Sequence, residues 1–146
     1  MGTAVMQRVE DCISFMVGKA AQQVTRRARE LLAPFGVTPV QYAVLKVLSD
    51  AEALSGAEIG KRMVLDSASI TGVVDRLESI GLVRRMPNPN DRRALLIAAT
   101  GEARRILPEM DRQMDRLNEE AAAILKTDEN RFFTELRRIG EWSRNV

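Results

Sequence analysis

Residues 67–100 read SASITGVVDRLESIGLVRRMPNPNDRRALLIAAT, and this stretch constrains the fold more than any other part of the chain. It opens on small and polar residues around one apolar stripe at helical spacing: Ile70, Val73, Val74, Leu77 and Ile80. Gly81 stops that helix. Residues 82–86 and 93–98 then read as short strands. Between them, residues 87–92 carry two prolines and two asparagines, which favour a turn over a helix. Ser67, Ser69, Thr71, Gly72, Asp75 and Arg76 are left for the helix faces away from the core.

The flanks place this unit. Ser55 and Glu58 form an S-x-x-E capping box for a short helix carrying Ile59 and Met63. Val64, Leu65 and Asp66 separate it from the next helix, which Asp66 or Ser67 caps; that is the turn length of a helix-turn-helix. Upstream, residues 4–33 read as one long helix, with Val5, Val9, Ile13, Met16, Ala20, Val24, Ala28 and Leu31 recurring every three or four positions. Pro34 and Gly36 end it, and Thr38 with Pro39 starts a second helix whose run VQYAVLKVL is apolar nearly all round, as in a buried helix. Downstream, Thr100 caps a fifth helix to about Leu125, bent or loosened at Pro108. Thr127 caps a last helix with Phe132, Phe133, Leu136, Ile139 and Trp142 on it.

The order is α-α-α-α-β-β-α-α, with an extra short strand near residues 53–55. The fold class is mainly α with a small β-hairpin wing. It is a winged helix-turn-helix, about residues 38–99, flanked by dimerisation helices at about 4–33 and 101–144 within one domain, 1–146.

Composition excludes several functions. The chain has no histidine and a single cysteine, Cys12, so the commonest general base and the usual zinc ligands are missing. No phosphate-binding glycine loop is present. No enzyme, cofactor or metal site is expected. Asp111 with Asp115 and Glu119 with Glu120 read as the wet face of a helix rather than an acid–base pair. No apolar run approaches the ~18 residues of a membrane span. The N-terminus MGTAVMQRVED lacks a signal-peptide pattern, and the lone cysteine fits a reducing cytoplasm.

Charge is unevenly placed. Net charge is +2, yet residues 84–93 alone hold four arginines against one aspartate. A local basic turn on a near-neutral body suits docking on phosphates at one place, and double-stranded DNA is the expected partner. In a helix-turn-helix the start of the second helix meets base edges. Here those residues are Ser67, Ser69, Thr71 and Gly72, whose small side chains let the backbone come close, with Arg76 one turn on. In the wing, Arg92 and Arg93 suit a narrow minor groove. Asn88 and Asn90 either touch phosphate or serve the turn. Arg84 and Arg85 alternate across a strand, so one of them faces DNA, and Arg84 is taken as that one. A winged module that binds protein instead of DNA is the alternative reading.

The wing sequence with Asp91-x-Arg93, followed by Thr100-Gly101, resembles the MarR family of bacterial transcriptional regulators, and with its flanks the likeness covers most of the chain. The resemblance implies that Arg93 contacts a groove or is tied to Asp91 to hold the wing in shape. It implies a homodimer whose terminal helices intertwine about a two-fold axis, with Val5, Val9, Ile13, Phe132, Phe133, Ile139 and Trp142 as candidates for that contact. It implies repression of a pseudo-palindromic operator, relieved by a small-molecule effector bound between the dimer helices and the winged module. Met16, Ala20, Val24, Tyr42, Leu45, Met110 and Met114 are candidate walls of that pocket, either as ligand contacts or as plain core. Arg26, Arg27 and Arg29 either hold an anion such as a carboxylate or a CoA phosphate, or pair with Glu30 at the surface. An aromatic acid or its CoA thioester is the expected effector. Some family members sense peroxide through a first-helix cysteine. Aligned through TPVQY, Ser14 falls at that position, so Cys12 reads as a buried, inert thiol, and a redox-responsive regulator using Cys12 is the alternative reading.

Overall fold

Local capping sets most element boundaries. In the computed structural model, which describes residues 5–142, the Thr38 hydroxyl accepts the Gln41 N–H at 3.2 Å while the Gln41 side chain accepts the Thr38 N–H at 2.9 Å. Helix α2 (Pro39–Ser49) starts there with proline in its first turn. Ser55 and Glu58 cap α3 (Gly56–Met63) in the same reciprocal way, and Asp66 caps α4 (Ser67–Ser79) by accepting the Ser69 N–H at 2.7 Å. Thr100 caps α5 (Gly101–Ile124), which runs on through Pro108, so the proline removes one rung without ending the helix. Helix α6 (Glu129–Gly140) is capped by Asp128, not Thr127.

The first long helix differs from its expected span. Helix α1 is Ile13–Leu32. Before it, Val9–Asp11 form a 3-10 turn in which the Asp11 carboxylate accepts the Arg8 N–H at 3.0 Å. Cys12 follows in an extended conformation (φ −81°, ψ 122°) that separates turn from helix. Apolar spacing continues through Val5 and Val9, but the Asp11 side chain offers the backbone a local alternative to the helix. Residue 4, expected in this helix, and residues 143–144, expected in the last, lie outside the described residues.

A three-stranded antiparallel sheet, ordered β1-β3-β2, joins β1 (Leu54–Ser55), β2 (Val83–Asn88) and β3 (Asp91–Ala99). The strands of the hairpin are longer than expected and leave only Pro89–Asn90 as the turn. Register jumps from Pro87 opposite Leu95 to Asn88 opposite Asp91, so Arg92, Arg93 and Ala94 bulge from β3.

The core lies where α2, α3, α4 and the sheet meet the end of α1 and the start of α5. Leu32, Val44, Leu45, Leu48, Ile59, Ile70, Val74, Leu77 and Met110 are fully buried there. By contrast, only Ala28, Leu31 and Leu32 of α1 are buried, and no residue of α6 is. Ile13, Phe15, Met16 and Val17 on α1, and Leu136, Ile139 and Trp142 near the other end, are exposed. Among the described residues, no single helix is long and apolar enough to cross a membrane.

A fork of ion pairs ties α1 to α5. Arg27 Nε and Nη2 donate to the two Glu120 oxygens at 2.7 and 2.8 Å, and Arg116 Nε reaches Glu120 at 3.0 Å. Mainly the Arg27 hydrogen bonds push the Glu120 carboxyl down to about 2. A depressed carboxyl contributes stability above its unfolded value, about 4.3, and loses it as pH falls through its folded value. The melting temperature is therefore expected to drop between about pH 4.3 and about pH 2. Glu120→Gln should flatten that drop, and an unchanged acid limb in the variant would assign it to other carboxylates.

Candidate nucleic-acid interface

Helix α4 turns Ile70, Val74 and Leu77 into the core. Ser67, Ser69, Thr71, Gly72 and Arg76 are consequently exposed on its other faces. The Thr71 hydroxyl donates back to the Ser67 carbonyl at 2.9 Å, which leaves its methyl and lone pairs outward. Backbone hydrogen bonding to Ser69 holds the Asp66 carboxyl below its usual range, so the cap stays ionised at the helix N-terminus.

The turn between α3 and α4 depends on two residues whose roles sequence reading missed. Val64 takes the left-handed conformation, φ 57°, and closes the end of α3. A Cβ on Gly60 would lie 2.9 Å from the Leu65 carbonyl oxygen, a backbone atom that cannot swing away. Gly60→Ala is expected to lower stability by about 1–2 kcal/mol, since the strain of overpacking exceeds the gain in helix propensity. A denaturation midpoint equal to wild type would show that the turn relaxes freely. The signal available beforehand was a glycine inside a capped helix, one turn before a three-residue connection.

In the wing, the Asn88 side chain accepts the Asn90 N–H at 3.0 Å and Asp91 accepts the Arg93 N–H at 2.9 Å. Asn88 and Asp91 thus shape the turn, and Asn90 sits at its tip. Arg92 and Arg93 are exposed in the bulge. Among the described residues, Arg76, Arg84, Arg92 and Arg93 form no ion pair. Arg85 does: it reaches Asp75 at 2.6 Å and Glu78 at 2.9 Å on α4. The alternation in β2 is therefore resolved, with Arg84 outward and Arg85 on the helix.

The expected effector walls separate into groups. Leu45 and Met110 lie fully buried in the core, and Met114 packs against it. Met16, Ala20 and Val24 lie on the exposed face of α1. The Tyr42 hydroxyl donates to Asp111 at 2.6 Å, and Lys46 reaches the other Asp111 oxygen at 2.7 Å. Asp111 is thus a link from α5 to α2 and not part of a wet face. Burial pushes its carboxyl up, but Lys46 and Tyr42 outweigh that and hold it below the usual range. Burial and the Asp111 carboxylate raise the Tyr42 hydroxyl. Arg26 and Arg27 pair with Glu30 at 2.7 and 2.9 Å, while Arg29 is exposed. Cys12 is half-buried rather than buried.

Comparison with known proteins bears on this arrangement. The MarR family model matches residues 37–95, from the turn before α2 into β3. A solved structure of a MarR-family transcriptional regulator from Rhodococcus sp. RHA1 is 31% identical, covers 91% of this chain and 95% of its own, and superposes with a TM-score of 0.80. The chain belongs to the MarR family. Its winged helix-turn-helix is the fold shared with that family. It is also similar to CouR from Rhodococcus jostii RHA1 bound to p-coumaroyl-CoA, at 29% identity, 92% and 93% coverage and a TM-score of 0.79. Among curated proteins it is 40% identical over 105 residues to the HTH-type transcriptional regulator TtmR of Methylorubrum extorquens, which is 72% of this chain and 54% of TtmR. The chain spans 63% and 55% of two further curated relatives, so it matches little more than half of their length.

Proposed function

We propose that the chain is a homodimeric repressor that binds a pseudo-palindromic operator and is released by an aromatic acid or its CoA thioester. One observation carries the DNA part. The polar face of α4 with exposed Arg76 is joined through Arg85 to a wing holding exposed Arg84, Arg92 and Arg93, all four without an ion pair among the described residues. Ser67, Ser69, Thr71, Gly72 and Arg76 meet the major groove, and Arg92 and Arg93 meet the minor groove beside it. Asn88, Asn90 and Asp91 present those arginines. The winged module, about 38–99, reads the DNA, and the terminal helices, α1 with α5 and α6, pair two chains. The exposed apolar faces of α1 and α6 support the pairing. Each dimer then spans two half-sites ~10 bp apart.

The effector site lies between α1, α2 and α5, along Met16, Ala20, Val24 and Arg26 and beside Tyr42 and Met114. The ligand class is supported by CouR and its bound p-coumaroyl-CoA. A tenfold release requires ~1.4 kcal/mol of differential binding between the two states. The Tyr42–Asp111–Lys46 link joins the DNA-reading module to α5, so a ligand that wedges there moves the module. The protein acts where the chromosome is, in the cytoplasm.

The test is fluorescence anisotropy on DNA from upstream of the protein's own gene, with aromatic acids and their CoA thioesters added to the complex. Salt-sensitive binding that one compound releases establishes the reading. Binding that none releases removes the ligand class. Failure to bind this DNA and any sequence from a randomised pool would favour a protein-binding module.

A further inference from the structure

Arg85 stands apart from most other surface ion pairs of the chain. The pairs at Arg26, Arg105, Arg112 and Arg138 link residues three or four apart on one helix. Arg85 instead crosses from strand β2 to helix α4, with one guanidinium nitrogen 2.6 Å from Asp75 Oδ1 and another 2.9 Å from Glu78 Oε1. Asp75 and Glu78 stand one turn apart, so the planar guanidinium grips α4 at two points and resists rotation as well as translation. Its side chain is 22% exposed, less than any other basic partner in the described ion pairs.

Position gives the grip leverage. Arg85 is paired with Ile97 at the root of the hairpin, four residues before the Pro89–Asn90 turn. At ~3.3 Å per residue the wing tip lies about 13 Å beyond it, so a swing of about ten degrees at the root moves the tip about 2 Å. That displacement is enough to lose a groove contact that needs placement within about half an ångström. The grip also leaves the neighbouring residues free: Arg76, next to Asp75, and Arg84, next to Arg85, are both exposed. Nor is Arg85 needed to hold the sheet, because Leu82, Val83, Ile97 and Ala99 anchor it in the core, and partly exposed ion pairs add little to stability.

We infer that Arg85, held by Asp75 and Glu78, is a positioning residue for DNA recognition: it sets the wing at a fixed distance and angle from α4. The operator is thereby restricted to DNA whose minor groove lies at that distance from the major-groove site. This rests on the reading above that α4 and the wing both touch DNA. It assigns to the two carboxylates a role that their charge alone, facing a polyanion, would not suggest.

The experiment uses the full chain and DNA selected by the wild-type protein from a randomised pool, with hydroxyl-radical footprinting, salt titration and thermal melting. Wild type should protect the central positions under α4 and the flanking minor-groove positions under the wing. Arg85→Gln should keep the central protection, lose the flanking one and weaken binding about tenfold, the scale of one lost base-pair contact, with its melting temperature little changed. Asp75→Asn with Glu78→Gln should lose the same flanking protection although it removes negative charge. Reselection with either variant should recover the central sequence without the flanking preference. The inference is overturned if the carboxylate variant binds more tightly with the wing footprint intact while Arg85→Gln lowers the salt slope by about one. That pattern would make Arg85 a phosphate contact. A wild-type footprint without flanking protection overturns it differently, by showing that the wing does not touch DNA at all.

Discussion

Reversing both wing charges, Arg92→Glu with Arg93→Glu, is expected to weaken operator binding roughly a thousandfold near physiological salt. Two arginines per chain make four per dimer. Each neutralised phosphate contributes about 0.9 to the slope of log affinity against log salt, so the slope should fall by about 3.6. At ~0.15 M salt that loss corresponds to nearly three decades before repulsion is counted. Both residues are exposed and form no ion pair among the described residues, so the fold should not notice the change. Melting temperature and oligomeric state should match wild type. Asp91→Ala gives the contrast. It removes the acceptor of the Arg93 N–H, held at 2.9 Å, and loosens the bulge without removing positive charge. Its affinity should fall while its salt slope stays near the wild-type value. A double reversal that left the slope intact would mean that these arginines only decorate the turn.

Introducing charge on α6, as Leu136→Asp with Ile139→Asp, is expected to convert the proposed dimer to a monomer and to lower operator affinity by at least about a hundredfold, as one of two half-sites is lost. The physical case begins with length. Helix α6 has 12 residues and buries none of them against its own chain. A helix of that length is marginal alone in water, and an amphipathic one is held by what covers its apolar stripe. Leu136 is 46% exposed and Ile139 43%, in line with Phe132 on the same helix, and Trp142, just past its end, is 63% exposed. The α1 face of Ile13, Met16 and Val17 is also open. Covering both faces with a second chain satisfies both helices at once. Sedimentation should show half the wild-type mass at the same loading, while the winged core, buried elsewhere, still melts cooperatively. A dimer that persists would move the interface off α6.

The wing was legible because turn chemistry is local. Asn88 and Asp91 accept backbone N–H groups two residues away, and such bonds need no knowledge of the rest of the fold. The caps at Thr38, Ser55, Asp66 and Thr100 were readable for the same reason. Periodicity misled at the start of α1, where Val5 and Val9 keep the spacing but Asp11 diverts the backbone. It also could not rank depth: Leu45, Met110 and Met114 all follow helical spacing, and only the packed module shows Leu45 and Met110 fully buried with Met114 partly buried against the core.

By itself, the sequence determined the helix starts from α2 to α5, that a hairpin follows α4, the polar residues that α4 leaves to solvent and that the positive field gathers at the wing, because each depends on residues within about one helical turn or one strand pair of each other. Tertiary structure alone decided which charges remain available. It pairs Arg27 with Glu120 across 93 residues and Tyr42 with Asp111 across 69. It turns Arg85 onto α4 while Arg84 faces out. A side chain's charge is written in the sequence, but whether a carboxylate lies within hydrogen-bond reach depends on how distant segments pack. That proximity separates the arginines free to meet DNA from those already held by the protein.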